Sequence, residues 1–291
     1  MLSLPLNLNF AAPHDGTAMV YAGLFGLLIG SFLNVVIHRL PRMMQREADN
    51  YLAQETRQAL PHQHPYNLLT PRSACPSCGT PVAAIHNVPV LSYLMLRGRC
   101  AHCKAPISAR YPAVELLSAV LSAVTISQFG LGAHGLAALA LVYFLIALSV
   151  IDARTQLLPD SLTLPLLWLG LLVNLWGLFA PLHEAVLGAM LGYLSLWLIY
   201  WLFRLATGKE GMGYGDFKLM AALGAWLGWQ SLPLILLLAS ALGAIGGIAL
   251  ILLKKHRADQ ALPFGPYLAL AGLLMLLYGP TWLSRLTFGL Y

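Results

Sequence analysis

Long apolar runs separated by short, polar and mostly basic segments dominate the chain, and the length of each run limits what it can form. An apolar helix of about 20 residues matches the hydrocarbon thickness of a bilayer. Eight such runs can be drawn, at 18–38, 112–129, 135–151, 161–180, 184–203, 217–230, 232–253 and 263–283. The sixth is short, and Gln230-Ser231-Leu232-Pro233 after it reads as a tight outer turn or a kink. The pattern predicts an all-α polytopic membrane protein with about eight transmembrane helices. Only the segment 39–111 is long enough to fold as a small soluble module, between the first and second helices. Its first part, Met43 to Gln63, has the charge density of a surface helix leading into a loop with Pro and His. The other connections on the same side, 152–160, 204–216 and 254–262, are short and keep their residues near the membrane surface. The expected divisions are an outer tail at 1–17, a first span at 18–38, a loop at 39–111 and a transmembrane domain at 112–291.

Composition agrees with this reading. Hydrophobic residues make up 58% and charged residues 10%, with a mean hydropathy of +0.71, whereas a soluble domain is roughly one quarter charged. The first run has no basic residue before it and no small-residue cleavage pattern after it, so it reads as a retained span, not a removable signal peptide. Orientation follows from charge. Once the spans are drawn, sixteen of the seventeen Lys and Arg residues fall on one side, and only Arg285 falls on the other. Short cytoplasmic loops retain positive charge, which puts that side in the cytoplasm and the amino terminus outside. The same asymmetry accounts for the net charge of +6, and no nucleic-acid recognition motif accompanies it. The expected partner surface is membrane lipid.

Cys75, Cys78, Cys100 and Cys103 are the only cysteines, and the orientation puts them in a reducing compartment where a disulfide framework is not expected. They form two C-x2-C knuckles separated by twenty-one residues, the spacing of a four-thiolate zinc site. Arg72, Arg97, Arg99 and Lys104 lie beside the ligands and can offset the charge of four thiolates. His86 and His102 read as surface residues. With four protein ligands and none left open for water, the site reads as structural. A metal also holds together a module too small to do so by apolar burial.

Acidic residues are scarce around the spans, so each calls for a reason. Asp152 terminates the third span and Asp216 opens the sixth, and the alternation of spans brings both to the cytoplasmic membrane face. Two carboxylates around a water are the minimal aspartic protease site: one takes a proton from water while the other hydrogen-bonds the scissile carbonyl. Asp216 could instead be a helix N-cap. That explanation fails for Asp152, which sits at a helix carboxyl end where the macrodipole opposes a negative charge. The two helix ends give Asp152 the acid's part and Asp216 the base's, within a coupled pair. Asp160 reads as a cap of the fourth span and Glu115 as a first-turn carboxylate of the second. Gly211, Gly213 and Gly215 give the backbone before Asp216 room for close approach and positive φ. A polytopic transporter with an aspartate relay and a zinc regulatory loop is the alternative from another class.

Five separated motifs occur in an order that resembles the type IV prepilin peptidases: Gly30 to Pro41, the two cysteine knuckles, Arg110 to Glu115, Asp152 to Asp160, and Gly213 to Lys218. The resemblance spans nearly the whole chain. Gly213, Gly215 and Asp216 also match the GxGD signature of membrane aspartic proteases. The resemblance implies an enzyme of the bacterial inner membrane with its catalytic face toward the cytoplasm. It implies cleavage of the basic leader from prepilins and pseudopilins of type IV pili and type II secretion, followed by N-methylation of the new amino terminus with S-adenosylmethionine. By that likeness Asp152 and Asp216 are catalytic, and the four cysteines hold zinc. No methyl-donor-binding residue is assigned, and Pro263-Phe-Gly265-Pro266 is a candidate lining of the substrate groove.

Overall fold

The computed structural model describes residues 14–209, 211–252 and 262–288. Most of the expected outer tail lies outside these residues, as do Glu210, Lys254, Lys255 and Arg257. The described chain is helical, with isolated bridges in place of strands. It comprises α1 (Gly16–Glu55), α2 (Leu91–Met95), α3 (Arg110–Phe129), α4 (Ala133–Thr155), α5 (Asp160–Asn174), α6 (Leu182–Thr207), α7 (Tyr214–Leu227), α8 (Leu232–Leu252) and α9 (Gly265–Phe288). Each of the eight apolar runs falls on a helix. Among the described residues five helices are long and apolar enough to cross a membrane: Gly16–Glu55, Arg110–Phe129, Ala133–Thr155, Leu182–Thr207 and Trp229–Leu250.

The chain forms two compact units. The described residues of one run to Gly130, and those of the other start at Leu131. In the first unit α1 packs along α3, so the second span groups with the first rather than with the helices after it. Small residues make that contact close. A Cβ on Gly30 would lie 2.7 Å from the Cα of Glu115, and close backbone approach is a main source of helix adhesion where lipid removes the hydrophobic driving force. α1 does not stop at the end of its apolar run. It continues through Pro41 to Glu55 as one helix of 40 residues, about 60 Å at 1.5 Å per residue, and so absorbs the separate surface helix expected after residue 43. Arg39 ties the loop back to it. Its guanidinium, only 6% exposed, donates to the carbonyls of Asn67 (2.9 Å) and Pro71 (2.6 Å).

In the second unit α7 is the centre. Phe217, Leu219, Met220, Ala222, Leu223, Ala225 and Trp226 are fully buried, enclosed by α5, α6 and α9. Glycine again sets the spacing, because a Cβ on Gly188 of α6 would overlap the Gly224 carbonyl of α7. A buried polar network fixes the far end. Asn174 Nδ2 donates to the Ala225 and Trp226 carbonyls, both at 2.9 Å, and its Oδ1 accepts from the N–H groups of Phe179 and Ala180. Trp226 Nε1 donates to the Leu166 carbonyl at 2.8 Å. α7 is thereby held on α5, which fixes where its first turn and Asp216 lie.

Candidate active site and metal centre

Asp152 lies in the last turn of α4, which Gln156 ends in the left-handed conformation at φ 54°. Asp216 is the third residue of α7, whose N-cap is Gly213. Both are buried, at 5% and 7% exposure. α4 and α7 both pack against α9, so the two carboxylates are carried by neighbours of one helix. The Gly213 backbone acts on the Asp216 carboxylate from within its own turn, while its Oδ1 is buried without a partner. A buried acceptor with no donor is unfavourable unless something it binds supplies one.

Asp152 has a partner that the sequence did not reveal. Its Oδ2 accepts from the N–H of Gly265 at 3.0 Å, at the amino end of α9. That N–H is one of the donors a helix start leaves unpaired, and the positive end of the α9 macrodipole comes with it. The expected split of roles set the unfavourable end of α4 at Asp152 against the favourable start of α7 at Asp216, without the amino end of α9. With α9 opposing it, that basis for calling Asp152 the acid and Asp216 the base is gone. Gly265 also leaves the space: a Cβ there would lie 2.7 Å from Asp152 Oδ2. The signal available in the sequence was the Pro-Phe-Gly-Pro run before an apolar span.

The neighbouring motif residues are sorted by their contacts. Gly215 is demanded by packing, since its Cβ would meet Leu158 Cβ at 2.7 Å. Positive φ is not the reason for Gly211, Gly213 or Gly215, none of which adopts it. Asp160 does not cap α5. Both its oxygens accept from Lys218 Nζ, at 2.6 and 2.7 Å, which ties the start of α5 to the first turns of α7. Glu115 lies beyond the first turn of α3 and accepts from the Val90 N–H at 2.8 Å.

In the first unit the two cysteine knuckles are near copies. Gly79 N–H donates to Cys75 O and Lys104 N–H to Cys100 O; Cys75 N–H donates to Thr80 O and Cys100 N–H to Ala105 O. One bridge closes each, Ala74 with Pro81 and Arg99 with Pro106. The four Sγ atoms lie within 4.8 Å of one another, and none is in a disulfide. Tetrahedral thiolates about 2.3 Å from a zinc ion sit about 3.8 Å apart, and Cys75 Sγ is 3.8 Å from Cys103 Sγ. The residues fit the ion. Side-chain and backbone hydrogen bonds from Thr80 pull the Cys78 thiol down to about 6, and the N–H groups of Cys103 and His102 lower Cys100. For Cys103 the Ala105 N–H favours the thiolate, but desolvation and the three surrounding sulfurs outweigh it and push the thiol up to about 11. His86 and His102 are exposed and outside the cluster.

Comparison with known proteins resolves the ancestry. Residues 24–129 match the bacterial peptidase A24 N-terminal domain, and residues 139–248 match the type IV leader peptidase family. The chain is 56% identical over 282 residues to the prepilin leader peptidase/N-methyltransferase of Aeromonas salmonicida, covering 96% of each chain. The chain belongs to the type IV leader peptidase family. Enzymes of the same name from Pseudomonas aeruginosa and Burkholderia pseudomallei (strain K96243) are 53% and 52% identical. They share 95% and 93% of this chain, and 95% and 88% of their own. No solved structure matches. Family membership gives no support to a transporter, and makes this protein a membrane enzyme.

Proposed function

We infer that this protein removes the leader peptide from type IV prepilins and pseudopilins and then methylates the new amino terminus, with Asp152 and Asp216 as the proteolytic pair. The observation that carries the reading is the burial of two aspartates on helices that pack against the same helix, α9, in a chain of the leader peptidase family. The Gly265 N–H holds one oxygen of Asp152 in place. Asp216 Oδ1, which has no protein donor, accepts a proton from the attacking water, and the other carboxyl hydrogen-bonds the scissile carbonyl. The peptide is extended at the cut, because helical hydrogen bonding shields a carbonyl. Unpaired backbone at that depth must be surrounded by protein. Cys75, Cys78, Cys100 and Cys103 hold zinc, which supplies folding energy to the loop and no chemistry. S-adenosylmethionine supplies the methyl group when bound.

The charge asymmetry of the loops supports a bacterial inner-membrane location with the catalytic face cytoplasmic and the amino terminus outside. Purified protein incubated with a prepilin is expected to yield a product lighter by the leader, and heavier by one methyl once S-adenosylmethionine is added. D152N and D216N are each expected to lower cleavage by about 10³-fold or more. Cleavage at the wild-type rate in either variant would overturn the assignment of the pair.

A further inference from the structure

The first unit holds a buried carboxylate that the proteolytic chemistry does not use. Glu115 is 8% exposed, on an apolar helix long enough to cross a membrane, where an ionisable residue is costly and marks function more often than packing. The groups acting on it are the Val90 N–H and the side chains of Ser31 and Asn34, and none of them is a cation. The backbone it holds is itself unusual. Val90 has φ 58° and ψ −48°, and the Leu91 N–H donates to the Pro89 carbonyl across it. That is a γ-turn of the strained, positive-φ kind, built on a β-branched residue, and such strain collects at functional sites. Ser118, one turn further along α3, is fully buried with its Oγ unpartnered. Beside this cluster is a cavity of about 290 Å³, lined by Leu28, Ser31, Phe32, Val35, Asn87 and Pro89. Three of those six are apolar side chains of α1, and Ser31 joins the cavity to the Glu115 carboxylate.

We propose that Glu115 and the adjoining cavity form the site for the free α-amine of an apolar chain end, the methyl acceptor. The assignment rests on the methylation inferred above. The Val90 N–H, Ser31 and Asn34 give the carboxylate donors but no positive charge, so the missing partner is a cation, and an ammonium supplies the balancing charge together with further donors. Pro89, Leu28, Phe32 and Val35 suit the first apolar side chain of such an end. Glu115 takes one proton from the ammonium, which frees the nitrogen lone pair. The lone pair forms the N–C bond to the methyl of a sulfonium donor while the C–S bond breaks, its electrons remaining on sulfur as a neutral thioether. The product is the methylated ammonium.

E115Q is the informative variant, because glutamine keeps an oxygen for the Val90 N–H and so preserves the clamp. The probes are a synthetic peptide with the sequence of a cleaved pilin amino terminus and its N-acetylated twin, bound to the full-length protein in detergent without methyl donor. Wild type is expected to bind the free amine at least tenfold more tightly, and E115Q to lose that preference. Methylation of the free peptide is expected to fall about 100-fold in E115Q, with metal content and protease resistance retained. An undiminished preference in E115Q overturns the proposal. So does loss of metal and protease resistance, which would assign Glu115 to holding the fold alone. Wild type that prefers the amine but does not methylate it defeats the methylation reading and leaves the site standing. Wild type that methylates without any preference does the reverse.

Discussion

Asp152 is held where two helix ends oppose each other, the carboxyl end of α4 and the amino end of α9, and Gly265 is the residue that lets them meet. An alanine there brings a methyl to 2.7 Å from the carboxylate oxygen and forces the carboxyl away from its position. A displacement of about 1 Å at a reacting group costs about 10²-fold. G265A is therefore expected to lower kcat for prepilin cleavage by about that factor with KM little changed, measured on a prepilin peptide, while circular dichroism and metal content stay as in wild type. Asn174 works at the opposite end of the same unit and holds four backbone groups with one side chain. N174A leaves buried carbonyls and N–H groups unpaired and is expected to destabilise the protein by about 2–4 kcal/mol, read as an earlier thermal transition in detergent. Gly265 showed in the sequence only as part of the Pro263-Phe-Gly265-Pro266 run, and Asn174 not at all. Neither carries a local signature of the partners it reaches.

The cysteine knuckles illustrate what an element specifies by itself. Each is a C-x2-C turn closed by its own backbone bonds, so the spacing predicts the cluster without tertiary information. The two turns differ at the residue after the second cysteine, Gly79 in one and Lys104 in the other, both at positive φ (70° and 59°). A lysine in that region costs about 1 kcal/mol that glycine does not. K104G is expected to raise the midpoint of chelator-induced unfolding of the module, and an unchanged or lowered midpoint would contradict the argument. Metal and protons compete for the thiolates. Metal affinity is therefore expected to fall steadily as pH is lowered, measured with a colorimetric zinc indicator, and a pH-independent affinity would contradict thiolate ligation. C100S, which removes one ligand, is expected to lose the metal at neutral pH. Helix α1 shows the limit of element-level reading. Its apolar run ends near residue 38, yet the helix continues through Pro41 because the following residues are themselves good helix formers and Arg39 is engaged by the loop.

At the scale of the whole molecule the aspartate pair and the metal module fall on different compact units, with the boundary at Gly130. Chelation is accordingly expected to open residues 56–109 to limited proteolysis while the fragments from 133–227 keep their wild-type resistance, as mapped by mass spectrometry of the digest. Simultaneous loss of resistance in both regions would show that the units do not respond separately. The apolar runs, the cysteine spacing and the placement of Asp152 and Asp216 at helix ends were all legible in the sequence, because span length, knuckle geometry and the alternation of spans are local or counting properties. The N–H on Asp152, the ion pair between Lys218 and Asp160 and the clamp of Glu115 on Val90 were not. They join residues 113, 58 and 25 positions apart, and which atoms meet over such separations depends on how closely the helices approach. The sequence by itself determined a helical protein with several membrane-length apolar spans, an acid at the end of each of two of its helices and a four-cysteine cluster able to hold a metal. Tertiary structure alone decided which backbone donors Asp152 and Glu115 receive, because a buried charge is satisfied by whatever the packing of distant segments brings within about 3 Å.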